Sequence, residues 1–249
     1  MQIFDSHFHI IDPNFPLVEN NGFLPAEYSV AAYQQQIHPL HVIGGAVVSG
    51  SFQAFDQDYL LEALKQLGPG FVGVTQLSAS TTDDEILALH RAGVRALRFN
   101  LKRSGSEDIQ HIESMAQRVD ELVGWHIELY VDSGKLDALS PTLLRLPRFS
   151  IDHLGLSSAG FTTLLKLVDK GARVKATGFG RVDFDVVSAM QQIMQVNPDA
   201  LMFGTDLPCT RAPRPFQTTD IDLISESFDT SDCDRIFYRN ACDWYRLSQ

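Results

Sequence analysis

Cysteine is scarce in this 249-residue chain: Cys209, Cys233 and Cys242 are the only three, and no two stand in CxxC spacing. An odd, scattered set excludes a disulfide framework and a thiolate zinc site, and it makes a reducing, cytoplasmic compartment the expectation. Positive charge is also in deficit, with 20 Lys and Arg against 31 Asp and Glu and a formal net charge of −11. That balance argues against nucleic acid and anionic membranes as partners, but it leaves room for a locally basic pocket and a small anionic substrate. No run of about 18 apolar residues occurs, and the N-terminus lacks a basic stretch followed by an apolar core, so neither a membrane span nor a signal peptide is expected. Internal repeats, low-complexity tracts and linkers are missing too, and nothing indicates an oligomer. The chain reads as a single domain over residues 1–249, with 44% hydrophobic residues to form its core.

What is present is a regular alternation of short β-rich runs with longer amphipathic stretches. Strands are expected at Ile3–His9, Ile43–Ser49, Phe71–Gln76, Val94–Asn100, His126–Val131, Phe149–His153, Val174–Thr177 and Leu201–Asp206. Helical patterns include Tyr59–Leu67, Asp84–Arg91, Ile112–Leu122 and Phe161–Lys170. Eight such alternations in about 250 residues predict a (β/α)8 TIM barrel. Thr82 and Glu85 have capping-box spacing, and Gly93 and Gly171 can supply left-handed helix exits. Two irregular stretches, Asp12–Pro25 and Pro208–Pro215, follow the first and last strands, where they would overhang the barrel mouth, the first as a partial lid.

In such a barrel, polar residues at the carboxyl ends of strands surround the site. Here they form a convergent set: His7 and His9, Ser49, Gln76, Arg98 and Asn100, Tyr130, His153, Lys175 and Asp206, with Ser51 and Gln53 just beyond strand two. The opening motif DSHFH places Asp5, His7 and His9 on one face of an extended strand and Phe4 and Phe8 on the other. Alternation likewise turns Ala96, Arg98 and Asn100 inward, and with them Glu128, Tyr130 and Asp132. Three imidazoles and a carboxylate suit metal-assisted hydrolysis, because zinc takes three or four N/O ligands with a position left for water. The same groups also suit a metal-free route in which the histidines polarise a carbonyl and Asp206 activates water. Arg98 has a structural alternative, pairing with Glu128 inside the barrel, and Lys175 has the same one. His126 stands at a strand start and reads as structural, while His38, His41, His90 and His111 fall outside the site. Cys209 has no neighbour that would activate it.

DSHFH, SIDHLG around His153 and MFGTDLP around Asp206, in order and in an eight-strand frame, resemble the amidohydrolase superfamily, in particular its amidohydrolase-2 branch of metal-dependent hydrolases. GVRALRFNL and GWHIELYVD extend the resemblance over nearly the whole chain. The resemblance implies a lactonase acting on 2-pyrone-4,6-dicarboxylate or a sugar-acid lactone. It implies His7, His9, His153 and Asp206 as catalytic residues and as ligands of at most one divalent metal, zinc by preference. It also implies that Arg98, Tyr130 and Arg181 bind substrate, with Ser49 and Asn100 beside them. Related barrels decarboxylate, and a non-catalytic ligand-binding barrel is the rival outside enzymology. The chain departs from the wider superfamily in having no lysine on the fourth strand, which speaks against two metals. It departs from the lactonase branch in reading GTDLPC where GTDWP and a histidine are usual.

Overall fold

The computed structural model describes residues 1–247. Eight parallel strands occur in the order β1 (Ile3–Phe8), β2 (Val42–Val48), β3 (Phe71–Thr75), β4 (Val94–Asn100), β5 (His126–Tyr130), β6 (Phe149–Ile151), β7 (Arg173–Ala176) and β8 (Leu201–Phe203). Each pairs with the next in sequence, giving a sheet ordered one to eight. The ring is completed beyond the last ladder, where Asp206 N–H donates to the His7 carbonyl and His9 N–H to the Leu207 carbonyl, both at 2.7 Å. The fold is therefore the expected TIM barrel, nearly closed.

A helix follows every strand: α1 (Val30–Ile37), α2 (Asp58–Leu67), α3 (Asp83–Arg91), α4 (Ile112–Val123), α5 (Leu136–Leu143), α6 (Phe161–Asp169), α7 (Val186–Val196) and α8 (Thr219–Ser227). Local chemistry sets their limits. Thr82 and Glu85 form the capping box of α3, and Gly93 and Gly171 have φ of 107° and 100° where the chain leaves α3 and α6. Apolar residues of the helices and the outward strand residues, such as Phe8, Leu97, Phe99, Leu129 and Val174, form the main core. A smaller cluster fills the lower barrel: Phe4, Ala46, Val48, Val72, Val74, Ala96 and Met202 meet Trp244 and Tyr245 of the C-terminal helical segment. That segment runs as α9 (Thr230–Asp234), a π-helical turn (Arg235–Arg239) and α10 (Asn240–Trp244), and it forms the barrel floor. Among the described residues no helix is long and apolar enough to cross a membrane.

Several strands stop earlier than their sequence suggests, and this matters at the mouth. β6 ends at Ile151 and β8 at Phe203, and the chain then turns through left-handed backbone at His153 (φ 52°) and Asp206 (φ 63°). β1 is also irregular, with register shifts against β2 between Ile3 and Phe4 and between Asp5 and Phe8. Simple alternation fails there. Phe4 lies inside the barrel, while Phe8 lies in the outer core and stacks on Tyr33 of α1 at 3.7 Å between ring centroids. Asp5 does not share the histidines' surroundings. Its carboxylate accepts from Thr205 N–H (2.8 Å), Thr205 Oγ1 (2.6 Å), Tyr33 Oη (3.1 Å) and the His7 backbone N–H (3.2 Å). It therefore ties β1 to the chain after β8 rather than orienting an imidazole.

Candidate active site

His7, His9, His153 and Asp206 meet at the carboxyl end of the barrel, all buried. Two close backbone approaches make room for them. A Cβ at Gly204 would stand 2.9 Å from His7 Cβ, and one at Gly178 would stand 2.6 Å from His153 Nδ1, so neither position accepts a side chain without a shift. The Nε2 atoms of His9 and of His153 each lie 4.0 Å from Asp206 Oδ1. The rings of His7 and His9 are edge to face at 5.1 Å, and those of His7 and His153 at 4.8 Å. Asp206 Oδ1, His7 Nε2 and His153 Nδ1 are buried with no hydrogen-bond partner, so the centre holds unsatisfied capacity for a ligand.

Electrostatics follow from burial. Loss of solvent pushes His7 and His153 well below the usual imidazole range and His9 down to about 3, helped in each case by nearby cations. Neutral imidazoles result. Burial raises Asp206 above the ordinary carboxylate value, with Arg181 pulling the other way. Arg181 Nε donates to Asp206 Oδ2 at 2.6 Å, and its Nη2 donates to the Thr210 carbonyl at 2.9 Å. One carboxylate oxygen is thus held and the other is free.

The sequence-level alternative for Arg98 is realised with a different acid. Its Nη2 donates to Asp152 Oδ2 at 2.8 Å and its Nη1 to the Ser49 carbonyl at 2.6 Å. Lys175 is the residue that pairs with Glu128. Asp152, buried and held below its ordinary value mainly by Arg98 and then Lys175, is a member of the centre that sequence reading passed over. Ser49 turns its hydroxyl to Tyr59 Oη at 2.7 Å and contributes to the interior through its carbonyl. Gln53 and Gln76 are spent on the loop after β2: Gln53 accepts from Gly50 N–H, and Gln76 donates to the Gly50 and Ala54 carbonyls. His126 is buried 3.3 Å from Glu128, below the site. Asp132 sits at the rim, paired with Lys102 at 2.8 Å. Burial pushes the Cys209 thiol up to about 12, which leaves it inert.

Above the centre opens a cleft lined by His9, Ser51, Phe52, Arg98, Asn100, Arg103, Tyr130, His153, Arg181, Asp206, Thr210 and Arg211. Arg103 and Arg211 were not legible as site residues, because they lie on loops whose course only the fold reveals. Neither forms an ion pair among the described residues, and Arg211 instead lies 4.2 Å over the Phe23 ring. The segment after β1 is tied to three residues of the cleft wall. Asn20 Nδ2 donates to the Arg103 carbonyl at 3.0 Å, Arg211 Nη1 donates to Asn20 Oδ1 at 3.2 Å, and Val18 N–H donates to the Phe52 carbonyl at 2.8 Å.

Two overlapping groups bring ligand atoms within 4.8 Å of one another: His7, His9 and Asp206, and His7, Asp152 and His153. By donor type the first group, with His153 beside it, fits one divalent ion. His9 is oriented as metal ligands commonly are, its Nδ1–H donating to the Val48 carbonyl at 2.6 Å. Charge counts the other way. The three buried carboxylates Asp206, Asp152 and Glu128 are already matched by Arg181, Arg98 and Lys175.

A nearly closed parallel barrel with a histidine and aspartate centre at its carboxyl end has the architecture of a barrel hydrolase. The chain belongs to the Amidohydrolase family, whose profile matches residues 4–247. A 2-pyrone-4,6-dicarboxylate hydrolase from Comamonas testosteroni is 27% identical over 232 residues, covering 82% of this chain and 76% of that protein. A 4-sulfomuconolactone hydrolase from Hydrogenophaga intermedia is 25% identical over 225 residues, covering 82% and 74%. The crystal structure of a probable 2-pyrone-4,6-dicarboxylic acid hydrolase from Acinetobacter baumannii with citric acid bound superposes with a TM-score of 0.85 at 21% identity. It covers 99% of this chain and all of that one, a likeness of fold.

Proposed function

We propose that the protein is a lactonase that opens a small carboxylated lactone of the 2-pyrone-4,6-dicarboxylate or sugar-acid lactone class, acting as one domain in the cytoplasm. The observation that carries the reading is the free Oδ1 of Asp206, buried beneath a cleft with four arginines on its wall. Relatives named for the hydrolysis of lactones support the substrate class, and three buried free cysteines support the compartment.

Asp206 Oδ1 takes a proton from water as the water oxygen bonds to the lactone carbonyl carbon, and the carbonyl electron pair moves onto its oxygen. Raised by burial, this carboxylate is a better base than an exposed one, and Arg181 fixes its direction through Oδ2. Collapse of the tetrahedral centre breaks the bond to the ring oxygen, which takes the proton back from Asp206 and leaves a ring-opened acid. Arg103, Arg211 and the outward edge of Arg181, with Tyr130 and Asn100, bind the substrate's carboxylates. Arg98 and Ser49 shape that wall from behind. His9, His153 and Asp206 would hold one divalent ion, zinc by donor type, which would polarise the carbonyl as a Lewis acid, with His7 beside it as a hydrogen-bond donor.

Purified protein is to be incubated with 2-pyrone-4,6-dicarboxylate and with sugar-acid lactones while absorbance, titratable acid and carbon dioxide are followed, before and after chelation. Loss of pyrone absorbance with stoichiometric acid is the expected result. Release of carbon dioxide in place of acid would make the enzyme a decarboxylase, and tight binding without turnover would make it a binding barrel.

A further inference from the structure

The two histidines of DSHFH share a motif but have unlike partners behind them. His9 Nδ1 faces the Val48 carbonyl at 2.6 Å. A carbonyl only accepts, so that nitrogen carries the ring's hydrogen and Nε2 is a bare lone pair. His7 Nδ1 faces Lys175 Nζ at 3.4 Å. An ammonium only donates, so here Nδ1 is the acceptor and the hydrogen lies on Nε2. Asp152 is the competing partner, with Oδ1 3.5 Å from the same nitrogen. That contact lacks hydrogen-bond geometry, and Asp152 Oδ1 is left without a partner. Lys175 is itself fixed. It is fully buried, bound to Glu128, 3.9 Å from Asp152 Oδ1 and 5.9 Å from the centre of the Tyr245 ring. Glu128 is held in turn by the Tyr245 hydroxyl and lies 3.3 Å from His126 Nε2.

We propose that Lys175 is a positioning residue that locks His7 in the tautomer opposite to that of His9, so that His7 presents an Nε2–H donor to the oxygen that gains charge while His9 presents a lone pair. The inference rests on the lactonase reading for the identity of that oxygen, and on geometry alone for the tautomers. His7 Nε2 is buried and unpartnered. A ligand atom of His7 lies within 4.8 Å of those of His9 and Asp206, which line the cleft, and a buried N–H without a partner is a donor that a carbonyl oxygen turning negative would satisfy.

The test is NMR of the enzyme as purified, labelled with ¹⁵N-histidine. Nitrogen shifts and two-bond couplings report which ring nitrogen carries hydrogen, and His7→Asn identifies the His7 signal. The expected result is Nε2–H at His7 and Nδ1–H at His9. In Lys175→Met, His7 is expected to move its hydrogen to Nδ1 and turn it to Asp152, with kcat on the lactone lowered by about 10²-fold and KM within about twofold. The double variant Lys175→Met with Glu128→Gln removes both charges of the buried pair and serves if the single variant does not fold. Nδ1–H at His7 in the wild type, a metal on its Nε2, or an unchanged tautomer in either variant would overturn the proposal. The tautomers are read without substrate, so this result and the lactonase assay can fail separately.

Discussion

Replacing Asp206 by Asn keeps an oxygen for the Nε–H of Arg181 but removes the lone pair and charge that take a proton from water. Steady-state assay of Asp206→Asn is expected to show kcat reduced by about 10²–10⁴-fold. The arginines separate by partner. Arg98→Met leaves Asp152 with only Lys175, 3.9 Å away and already bound to Glu128, and urea unfolding should show a loss of about 3–5 kcal/mol. Arg103→Met strands nothing, so stability should hold within about 0.5 kcal/mol while KM rises about tenfold or more. A KM unchanged in Arg103→Met would remove it from the substrate site. The clustering of three histidines and Asp206 was legible because residue type, strand end and motif coincided. Asp152 was not, although it adjoins His153: alternation along a longer β6 turns it outward, whereas the strand stops at Ile151 and the turn brings it in.

At the scale of elements, eight strands and their order could be read from hydrophobic period and turn residues. Their ends could not, because β6 stops before Asp152 with no Gly or Pro at the break, and β8 stops before Gly204, a glycine inside a motif that reads as continuous strand. The shifts in β1 were equally hidden, since a bulge leaves period-two composition almost intact. The mouth segment was placed by its Pro and Asn content, but its anchor needed the fold. Asn20 accepts from Arg211 and donates to the Arg103 carbonyl, joining the loops after β4 and β8. Asn20→Ala should therefore loosen residues 12–28, seen as faster amide hydrogen exchange there, and raise KM with kcat little altered. Unchanged exchange would mean that Val18 and the Ile11–Tyr28 bridge suffice to hold the segment.

For the whole molecule, the buried histidines set the response to acid. His126 is held down to about 4 and His9 to about 3, against an ordinary value of 6.5, and His7 and His153 are lowered as well. Below pH 6.5 the unfolded chain therefore binds protons that the folded one refuses, so stability present above that pH is lost as pH falls toward 4. Asp5, raised to about 6 from 3.8, works in the opposite sense, as does Asp206, but two acids offset only part of four histidines. A thermal melt series should show Tm flat above about pH 7 and falling below pH 6.5, by about 1–3 kcal/mol of stability per pH unit. A Tm that rises on acidification would contradict neutral buried imidazoles.

The floor of the barrel sets a schedule for biosynthesis. Tyr245 hydrogen-bonds to Glu128 and also reaches the carbonyl of Ser6, 239 positions away. At ordinary elongation rates the ribosome spans that separation in roughly 10–50 s. During that interval His7, Lys175 and Glu128 have been made, but the residue that closes the interior beneath them has not. A nascent chain halted before Tyr245 would hold every side chain of the proposed chemistry and still leave its charged interior open to water, so activity should appear only once that tyrosine has been translated and has docked.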